Sequence, residues 1–330
     1  MRVRTLVMVL SLGLAPLAQA LELKISTLYP DGTAAVNTLR AASEEISQAT
    51  EGRVTLRVYP GGVMGDDKAV QRRIRIGQLH GMLVQGGALA GVYKDSQVLN
   101  LPLLFRSYDE VDAVRAELDP VLRQGFADGG WRTFGPVDGG FAYLMSAQPV
   151  ASVADLQKQK VWLPANDSSS AMAVKVFDVA PVVLNIGAVL TSLQTGVIDA
   201  FAAPPVAALT LQWYSRVKHL TDMPLLYTYG VLAFDQRHLD KISAADQDVL
   251  QRVLTERFAE LNRSERAGNQ QAFDAVKAQG LQSVTPSAAQ LAEWRQRSEQ
   301  AVQLLEQGGE ISPAMVQRAR DILDRYRAGQ

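Results

Sequence analysis

Apolar and polar residues alternate in two short segments near the start of the chain. Leu21, Leu23 and Ile25 are separated by polar residues, and residues 54–58 show the same period of two, which places the apolar side chains on one face of a strand. Residues 34–50 are instead patterned as a helix, and Gly52 stands where such a helix would end. This pattern predicts a β-α-β unit over residues 21–58.

The rest of the chain continues this succession of strands and helices. Strands are predicted at residues 79–85, 131–134, 141–146, 160–163, 197–201 and 225–234. Helices are predicted at residues 68–76, 108–126, 187–194 and 206–214, after Asn166, and at the capping boxes Ser152–Asp155 and Ser243–Asp246. Two more helices are predicted near Pro286 and Pro313, with Thr285 and Ser312 as caps. Alternating strands and helices predict doubly wound α/β lobes, whose ligands bind where strand ends open into a crevice.

The chain length indicates more than one folding unit. A chain of 330 residues exceeds what one hydrophobic core usually supports, so two lobes are expected. The strands at 141–146 and 225–234 are the predicted crossings between them. We therefore expect lobe I to comprise residues 21–138 and 225–270, and lobe II to comprise residues 139–224 and 271–330.

The first 20 residues have the pattern of a secretory signal peptide. Arg2 and Arg4 precede an apolar run over residues 5–17, and Ala18-Gln19-Ala20 forms a small-x-small cleavage signature. The run is shorter than the roughly 20 apolar residues that a transmembrane helix needs. We expect export to the periplasm and cleavage after Ala20, with an uncleaved amino-terminal anchor as the alternative. No cysteine follows the run, which excludes a lipoprotein anchor.

Charge and cysteine content exclude several classes of partner and site. The formal net charge is −1, and no long basic run is present, so neither nucleic acid nor an anionic membrane is an expected partner. The sequence contains no cysteine. Disulfides, thiolate metal sites and cysteine nucleophiles are therefore excluded.

No catalytic motif is visible. The three histidines, His80, His219 and His238, have neither metal-ligand spacing nor a neighbouring nucleophile motif, so structural roles are expected for them. The loop at residues 60–67 lacks the Gly-Lys-Ser/Thr ending of a phosphate-binding loop and is interpreted as a glycine-rich turn whose aspartate caps the next helix. Asp66 and Asp67 lack further oxygen ligands nearby, which argues against a metal site. We predict a protein that is not an enzyme and that holds no metal or cofactor.

Short motifs spread over nearly all of the chain after residue 20 resemble one protein family. The central region contains Lys160 and Pro164, Ala180-Pro181, Leu193-Gln194-Thr195-Gly196, Asp199 and Pro204. Outside it lie Val58-Tyr59-Pro60 with Met64-Gly65-Asp66-Asp67, Leu101-Pro102-Leu103-Leu104-Phe105 and Val217-Lys218-His219-Leu220. In this order the motifs resemble the DctP-type solute-binding subunits of tripartite ATP-independent periplasmic (TRAP) transporters.

The resemblance implies both a fold and a function. The implied fold is a two-lobed α/β periplasmic-binding-protein fold (type II-like), with a crevice between the lobes and long C-terminal helices. The implied function is that of a monomeric receptor, which closes its lobes around a small molecule and delivers it to membrane permease subunits. The alternative is a periplasmic carrier of a hydrophobic, lipid-like molecule that works without a conventional TRAP permease.

At several positions that the resemblance implies for carboxylate binding, this chain has other residues. The main family arginine, two residues before the proline of the central strand, falls on Trp162, and a second arginine falls on Ala142. Assisting asparagines fall on Ala165 and Ala203, although Asn166 is one residue away and could partly substitute. An acidic cleft position falls on Gln85, whereas Asp66 keeps the acidic residue that reaches the ligand in the family.

The missing arginines suggest an unusual ligand. A buried carboxylate without a charged partner is strongly disfavoured, whereas Trp162, Ile186, Phe201 and Tyr29 would offer apolar and aromatic surface. We expect a ligand that is neutral or largely apolar, or a cation stacked on Trp162 with Asp66 nearby. The alternative is that Trp162 fills the space of the arginine in a closed core and another basic residue binds the anion.

Overall fold

The structure is a computed structural model, and it describes residues 20–164, 174 and 176–329. Residues 1–19 of the predicted signal peptide, and most of the helix predicted after Asn166, lie outside the described residues. Its strands are β1 Leu21–Thr27, β2 Val54–Tyr59, β3 Gly81–Gln85, β4 Trp131–Ser146, β5 Trp162–Pro164, β6 Val182–Leu184, β7 Ala200–Ala203, β8 His219–Thr221, β9 Leu226–Asp235 and β10 Gln282–Val284. Its α-helices are α1 Ala34–Ala49, α2 Asp67–Arg75, α3 Tyr108–Asp128, α4 Val153–Leu156, α5 Val189–Thr195, α6 Pro205–Thr210, α7 Gln236–Leu239, α8 Ala244–Ala278, α9 Ala288–Gln307 and α10 Pro313–Ala328.

One sheet of eight strands runs through the molecule. Its order is β10-β8-β4-β9-β3-β1-β2, and β7 also pairs with β4. The predicted β-α-β unit is confirmed, because β1 pairs in parallel with β2 and α1 lies between them along the chain. Strands β5 and β6 form a separate parallel pair, which an isolated parallel bridge between Val161 and Ala200 joins to the start of β7.

Strand β4 is a single strand of 16 residues, not the two strands at 131–134 and 141–146 that the sequence predicts. Its pairing with β9 runs from Trp131 opposite Asp235 to Ala142 opposite Leu226, and the register shifts between Phe134 and Val137 and between Asp138 and Gly140. Glycine and proline in this stretch interrupt the apolar pattern, while the irregularities let the strand continue through it. The last residues of β4 pair with β7 and β8, so in the predicted division this strand runs from lobe I into lobe II.

Each lobe has its own apolar core. Leu23, Leu39, Phe234 and Phe258 belong to a fully buried cluster that joins β1, α1, β9 and α8 in lobe I. Met145, Phe201, Trp213 and Leu220 belong to the corresponding cluster of lobe II.

A further cluster joins the C-terminal helices to α3. Val111 and Leu118 of α3 pack in one cluster with Val316 and Ile322 of α10. Helix α10 was expected in lobe II and α3 in lobe I, so the cluster spans the predicted division. That division stays a prediction.

Helix caps follow the sequence with two exceptions. Ser243 caps α8 by accepting a hydrogen bond from the Asp246 amide, but the predicted capping box is only half formed, because the Asp246 carboxylate accepts from Arg53 instead. The Asp66 carboxylate accepts a hydrogen bond from the Ala69 amide at 2.8 Å, and Ser152 and Asp155 form the predicted capping box. Ser312 caps α10, as predicted. The prediction of Thr285 as a cap is wrong: Ser287 caps α9, because Gln290 three residues later completes a reciprocal capping box with it. No helix within the described ranges is long and apolar enough to cross a membrane.

Candidate ligand-binding crevice

The strand directions bring two groups of carboxyl ends towards each other. Strands β1 and β3 are parallel to each other. Strand β9 is antiparallel both to β3 and to β4. Strands β1 and β3 therefore run in the same direction as β4, towards lobe II. Strand β7 is antiparallel to β4, and β5 and β6 run with β7, towards lobe I. Ligands of open α/β sheets bind beyond the carboxyl ends of strands. The space between these two groups of strand ends is the candidate site, called the crevice below.

Tyr29 and Gln85 form the lobe I wall of the crevice. The Gln85 side-chain amide donates a hydrogen bond to the Tyr29 phenol oxygen at 3.0 Å, because β1 and β3 end side by side. Gly230 of β9 lies opposite Gln85, and a Cβ at that position would lie 3.0 Å from the phenol oxygen. Glycine therefore allows the ring of Tyr29 to lie against the backbone of β9.

Two carboxyl groups lie within electrostatic reach of Tyr29. Burial is the main cause that raises the pKa of the Tyr29 phenol, and the charges of Glu265 and Asp67 raise it further. Burial, followed by the neighbouring Asp66, raises the pKa of Asp67 to about 6. Burial, followed by Asp138, raises the pKa of Glu265. This wall offers neutral or negative groups, which disfavours an anion beside it.

Asp66, the predicted acidic ligand-binding residue, is exposed and uses its carboxylate to cap α2. The adjacent Asp67 is half-buried and acts on Tyr29. Sequence reasoning did not select Asp67, although a pair of aspartates at a helix start leaves one of them free of the cap.

The aromatic residues of lobe II lie in its core. Trp162 is 8% exposed, its indole N–H donates to the Leu184 carbonyl at 3.0 Å, and its ring meets Trp213 edge-on at 5.1 Å. Phe201 is fully buried and also meets Trp213 edge-on. The structure therefore brings Trp162 and Phe201 together around Trp213, with little of either ring on the surface.

The remaining predicted site residues differ in exposure. Ala203 at the end of β7 is buried, and Ile186, two residues after β6, is 45% exposed. Ala142 is buried in β4, where its carbonyl accepts a hydrogen bond from the Leu225 amide at 2.9 Å. Asn166 lies outside the described residues.

The crossing between the lobes is built around Asn269 of α8, which sequence reasoning missed. Its side-chain oxygen accepts from the Val206 amide at the start of α6, and its amide nitrogen donates to the Gly139 carbonyl, both at 3.4 Å. Gly140 has φ +89°, and a Cβ there would lie 2.5 Å from the Asn269 amide nitrogen. No local motif marks Asn269, because its partners in the other elements, Val206 and Gly139, are more than 60 residues away along the chain.

Neither a metal centre nor a catalytic histidine is indicated. No group of three or more metal-ligating side chains occurs in the part of the chain that the structure describes. His80 accepts a hydrogen bond from the Lys24 amide at 3.0 Å and lies 4.4 Å, centroid to centroid, from His238.

Two lobes with opposed strand ends and crossing strands between them form the architecture of a two-lobed α/β solute-binding protein.

Comparisons with known proteins agree with this architecture. Residues 25–307 match the family of bacterial extracellular solute-binding proteins, family 7 (DctP). The sialic acid-binding periplasmic protein SiaP of Vibrio cholerae is 21% identical over 240 residues, 71% of this chain and 74% of that protein. A TRAP periplasmic solute binding protein from Ochrobactrum anthropi superposes with a TM-score of 0.82 at 20% identity, over 95% of this chain and 98% of that one. Another, from Xanthobacter autotrophicus with bound β-D-galacturonate, has a TM-score of 0.80 at 19% identity, over 92% and 99%.

The chain belongs to the DctP family of solute-binding proteins. It is a TRAP-type solute-binding receptor, not an enzyme, and the predicted family and fold class are confirmed. Members of this periplasmic family bind small ligands and work with membrane permease components.

Proposed function

We propose that this receptor captures a neutral or largely apolar small molecule in the crevice, rather than a simple carboxylate. The observation that carries the proposal is the environment of Trp162. The resemblance assigns this position to the main carboxylate-binding arginine, whereas here an indole is buried against Trp213 and its only N–H is used by the Leu184 carbonyl. The position offers no cation to an anionic ligand.

The charge of the opposite wall supports the same ligand class. Asp67 and Glu265 both lie near Tyr29, and burial raises the pKa of both carboxyl groups. An anion beside them would add repulsion to its own desolvation cost. Tyr29 and Gln85 offer a neutral hydroxyl and a neutral amide instead.

The proposed binding residues are the nine positions selected from the sequence, with different roles. Tyr29 and Gln85 offer polar contacts in lobe I, Ile186 offers apolar surface in lobe II, and Asp66 positions the start of α2. The proposed contribution of Trp162 and Phe201 is to shape lobe II from within. Ala142 and Ala203 leave space at the crossing, and Asn166 is the proposed amide donor.

Exposed apolar side chains near the strand ends support a closing motion. Leu28 and Val63 of lobe I are 42% and 71% exposed, and Val183 and Ile186 of lobe II are 56% and 45% exposed. Closure of lobe I (21–138 and 225–270) on lobe II (139–224 and 271–330) would bury part of this surface around the ligand. The mature receptor is a monomer, cleaved after Ala20 and released into the periplasm, in this proposal.

The second candidate function is a carrier of a lipid-like molecule that works without a TRAP permease. The exposure of Val183 and Ile186 favours it, because both belong to the apolar surface at the carboxyl end of β6. A gene for a many-helix permease next to the gene of this protein supports the receptor, and an envelope lipid-export cluster supports the carrier.

Restoring the missing cation tests the ligand class. Calorimetry with β-D-galacturonate compares the unchanged receptor with the double variant Trp162→Arg/Ala142→Arg and with Trp162→Leu, the control that removes the indole without adding charge. We expect no binding tighter than about 1 mM by the unchanged receptor or by Trp162→Leu, and measurable binding by Trp162→Arg in combination with Ala142→Arg. Binding of the uronate by the unchanged receptor below that concentration would overturn the proposal.

A further inference from the structure

A second cavity lies outside the crevice. Its volume of about 530 Å³ falls within the range of roughly 300–1,000 Å³ that is typical of small-molecule sites. Residues 101–106, residues 222–224 and the helices α9 and α10 form its walls.

The floor of this cavity is apolar. Its buried aliphatic and aromatic side chains come from all four walls and comprise Leu101, Phe105, Met223, Val302 and Leu323. Leu103 and Leu291 are half-buried beside them. Such a floor suits the hydrocarbon part of a ligand.

One polar group within the cavity lacks a partner. Ser298 is 3% exposed, lines the cavity, and its hydroxyl makes no hydrogen bond to any described residue. Buried hydroxyls in folded proteins are normally hydrogen-bonded, and this one has its hydrogen-bonding capacity available to a bound molecule. The hydroxyl would donate to an acceptor atom of that molecule.

The spacing on α9 adds a cation to the same face. Leu291, Arg295, Ser298 and Val302 recur at intervals of three and four residues and all line the cavity, as expected for one helix face. Arg295 makes no ion pair or side-chain hydrogen bond with another described residue. Two arginines of α10 at the rim already have carboxylate partners, since Arg320 pairs with Glu299 and Arg327 with Glu110. Arg106 of the segment 101–106 also lines the cavity.

The cavity wall is also connected to the crossing between the lobes. The Leu103 amide donates to the Leu225 carbonyl at 2.7 Å, and the Leu225 amide donates to the Ala142 carbonyl at 2.9 Å. Two successive backbone hydrogen bonds therefore lead from the cavity to strand β4. A ligand that fixes residues 101–106 against residues 222–224 would act directly on this segment.

We propose that this cavity is a second small-molecule site, which takes an amphipathic carboxylate. The hydrocarbon part lies on the floor around Met223, and the carboxylate accepts hydrogen bonds from Arg295 and Ser298. This inference does not depend on which ligand the crevice binds. None of the described residues predicted to bind that ligand is a cation.

NMR of the full receptor labelled with [¹³C-methyl]methionine tests the proposal, with octanoate as the probe and octan-1-ol as its neutral counterpart. Met223 lies in the floor of the cavity, and Met223→Leu assigns its signal. We expect octanoate to shift the Met223 methyl signal saturably and more tightly than octan-1-ol. Arg295→Gln should weaken octanoate binding by about tenfold, whereas Arg318→Gln, an exposed arginine of α10 outside the cavity, should leave it unchanged.

A second variant guards against an indirect effect of Arg295. Leu291→Trp fills the cavity from its half-buried wall, and it should abolish the Met223 shift while the remaining methionine signals keep their positions. An absent Met223 shift at saturating octanoate, equal affinities of Arg295→Gln and Arg318→Gln, or unaltered binding by Leu291→Trp would each overturn the second site. None of these outcomes bears on galacturonate binding in the crevice.

Discussion

The Asp138 carboxylate, which has no exposed surface, accepts a hydrogen bond from Arg266 Nε at 2.5 Å. Arg115 donates to the same carboxylate at 2.9 Å, and the Tyr227 hydroxyl also donates to it. Asp138 lies in β4, and its three donors Arg115, Arg266 and Tyr227 lie in α3, α8 and β9, so one buried anion joins four elements. Removing one partner of a buried ion pair leaves charge without compensation.

Asp138→Asn should therefore lower the free energy of unfolding by about 3–5 kcal/mol, measured by urea denaturation. Asp112→Asn is the matched control, because Asp112 pairs with the same Arg266 but its side chain is 54% exposed. Loss of the Asp112 carboxylate should lower the free energy of unfolding by about 1 kcal/mol or less. Equal costs for the two variants would contradict a structural role for the buried network.

Asp67 should titrate well above an ordinary aspartate. Its pKa is raised to about 6 by burial, with Asp66 as a further cause, so carboxyl ¹³C NMR should show a midpoint near that value. Asp66→Asn should lower the midpoint and keep the helix cap, because asparagine caps as well as aspartate.

The raised pKa of Asp67 should also make stability depend on pH. Since the folded pKa is the higher one, the stabilisation from protonated Asp67 is complete below about pH 4 and is lost as the pH rises through 6. Asp67→Asn should remove this dependence, and an unchanged pH profile would count against it.

His80 and His238 should make the fold sensitive to acid. Burial lowers the pKa of both histidines. For His80, the nearby His238 and Lys24 lower the pKa further. For His238, Lys241 lowers the pKa further, whereas Asp235 raises it. Because the folded pKa values are the lower ones, their stabilisation is present above about pH 6.5 and is lost as the pH falls below it. His238→Gln should reduce this slope in unfolding measurements between pH 5 and 7. His219→Gln, on β8 in lobe II, is the control and should retain it.

Gly140 should tolerate no side chain. Its φ is +89°, and a Cβ at this position would lie 2.5 Å from the Asn269 side chain, so both the backbone and the available space oppose alanine. We expect Gly140→Ala to lower the free energy of unfolding by on the order of 1–3 kcal/mol because of the backbone conformation. Displacement of Asn269 should lower it further. Gly130→Ala separates the two effects, because Gly130 has φ +81° with no atom within 4 Å of its Cβ. Chemical denaturation of both variants should show the larger loss for Gly140→Ala; similar losses would mean that the Asn269 contact is unimportant.

Sequence patterns located the strand ends of the crevice because those depend on local alternation of residues. Tyr29 was selected as aromatic surface and Gln85 as the position of an acidic cleft residue in the resembled family. Both stand at or just after the end of a predicted strand, and the structure joins them by a hydrogen bond. Glu265 and Asn269 were missed, because each lies within a continuous helix of 35 residues that reaches the crossing only through tertiary packing. No local signal reports such a contact.

Side-chain direction was the second property that local patterns did not provide. Phe201 and Trp162 were predicted to offer surface to the ligand, but both pack around Trp213. The length of β4 was likewise underestimated, since register irregularities near Gly135 and Gly139 carry the strand through a segment with turn-forming residues. Side-chain direction and strand length both depend on which residues of other elements pack or pair against the segment.

The most direct measurement of the ligand class is the identity of the molecule that the receptor retains. The mature protein, purified from its native host without denaturation, is extracted under denaturing conditions, and the extract is analysed by mass spectrometry beside that of Trp162→Arg. We predict a stoichiometric molecule without a carboxylate, retained by the unchanged receptor and lost by the variant. A carboxylate retained by the unchanged receptor would contradict the account, because some other residue would then supply the cation that Trp162 and Ala142 lack.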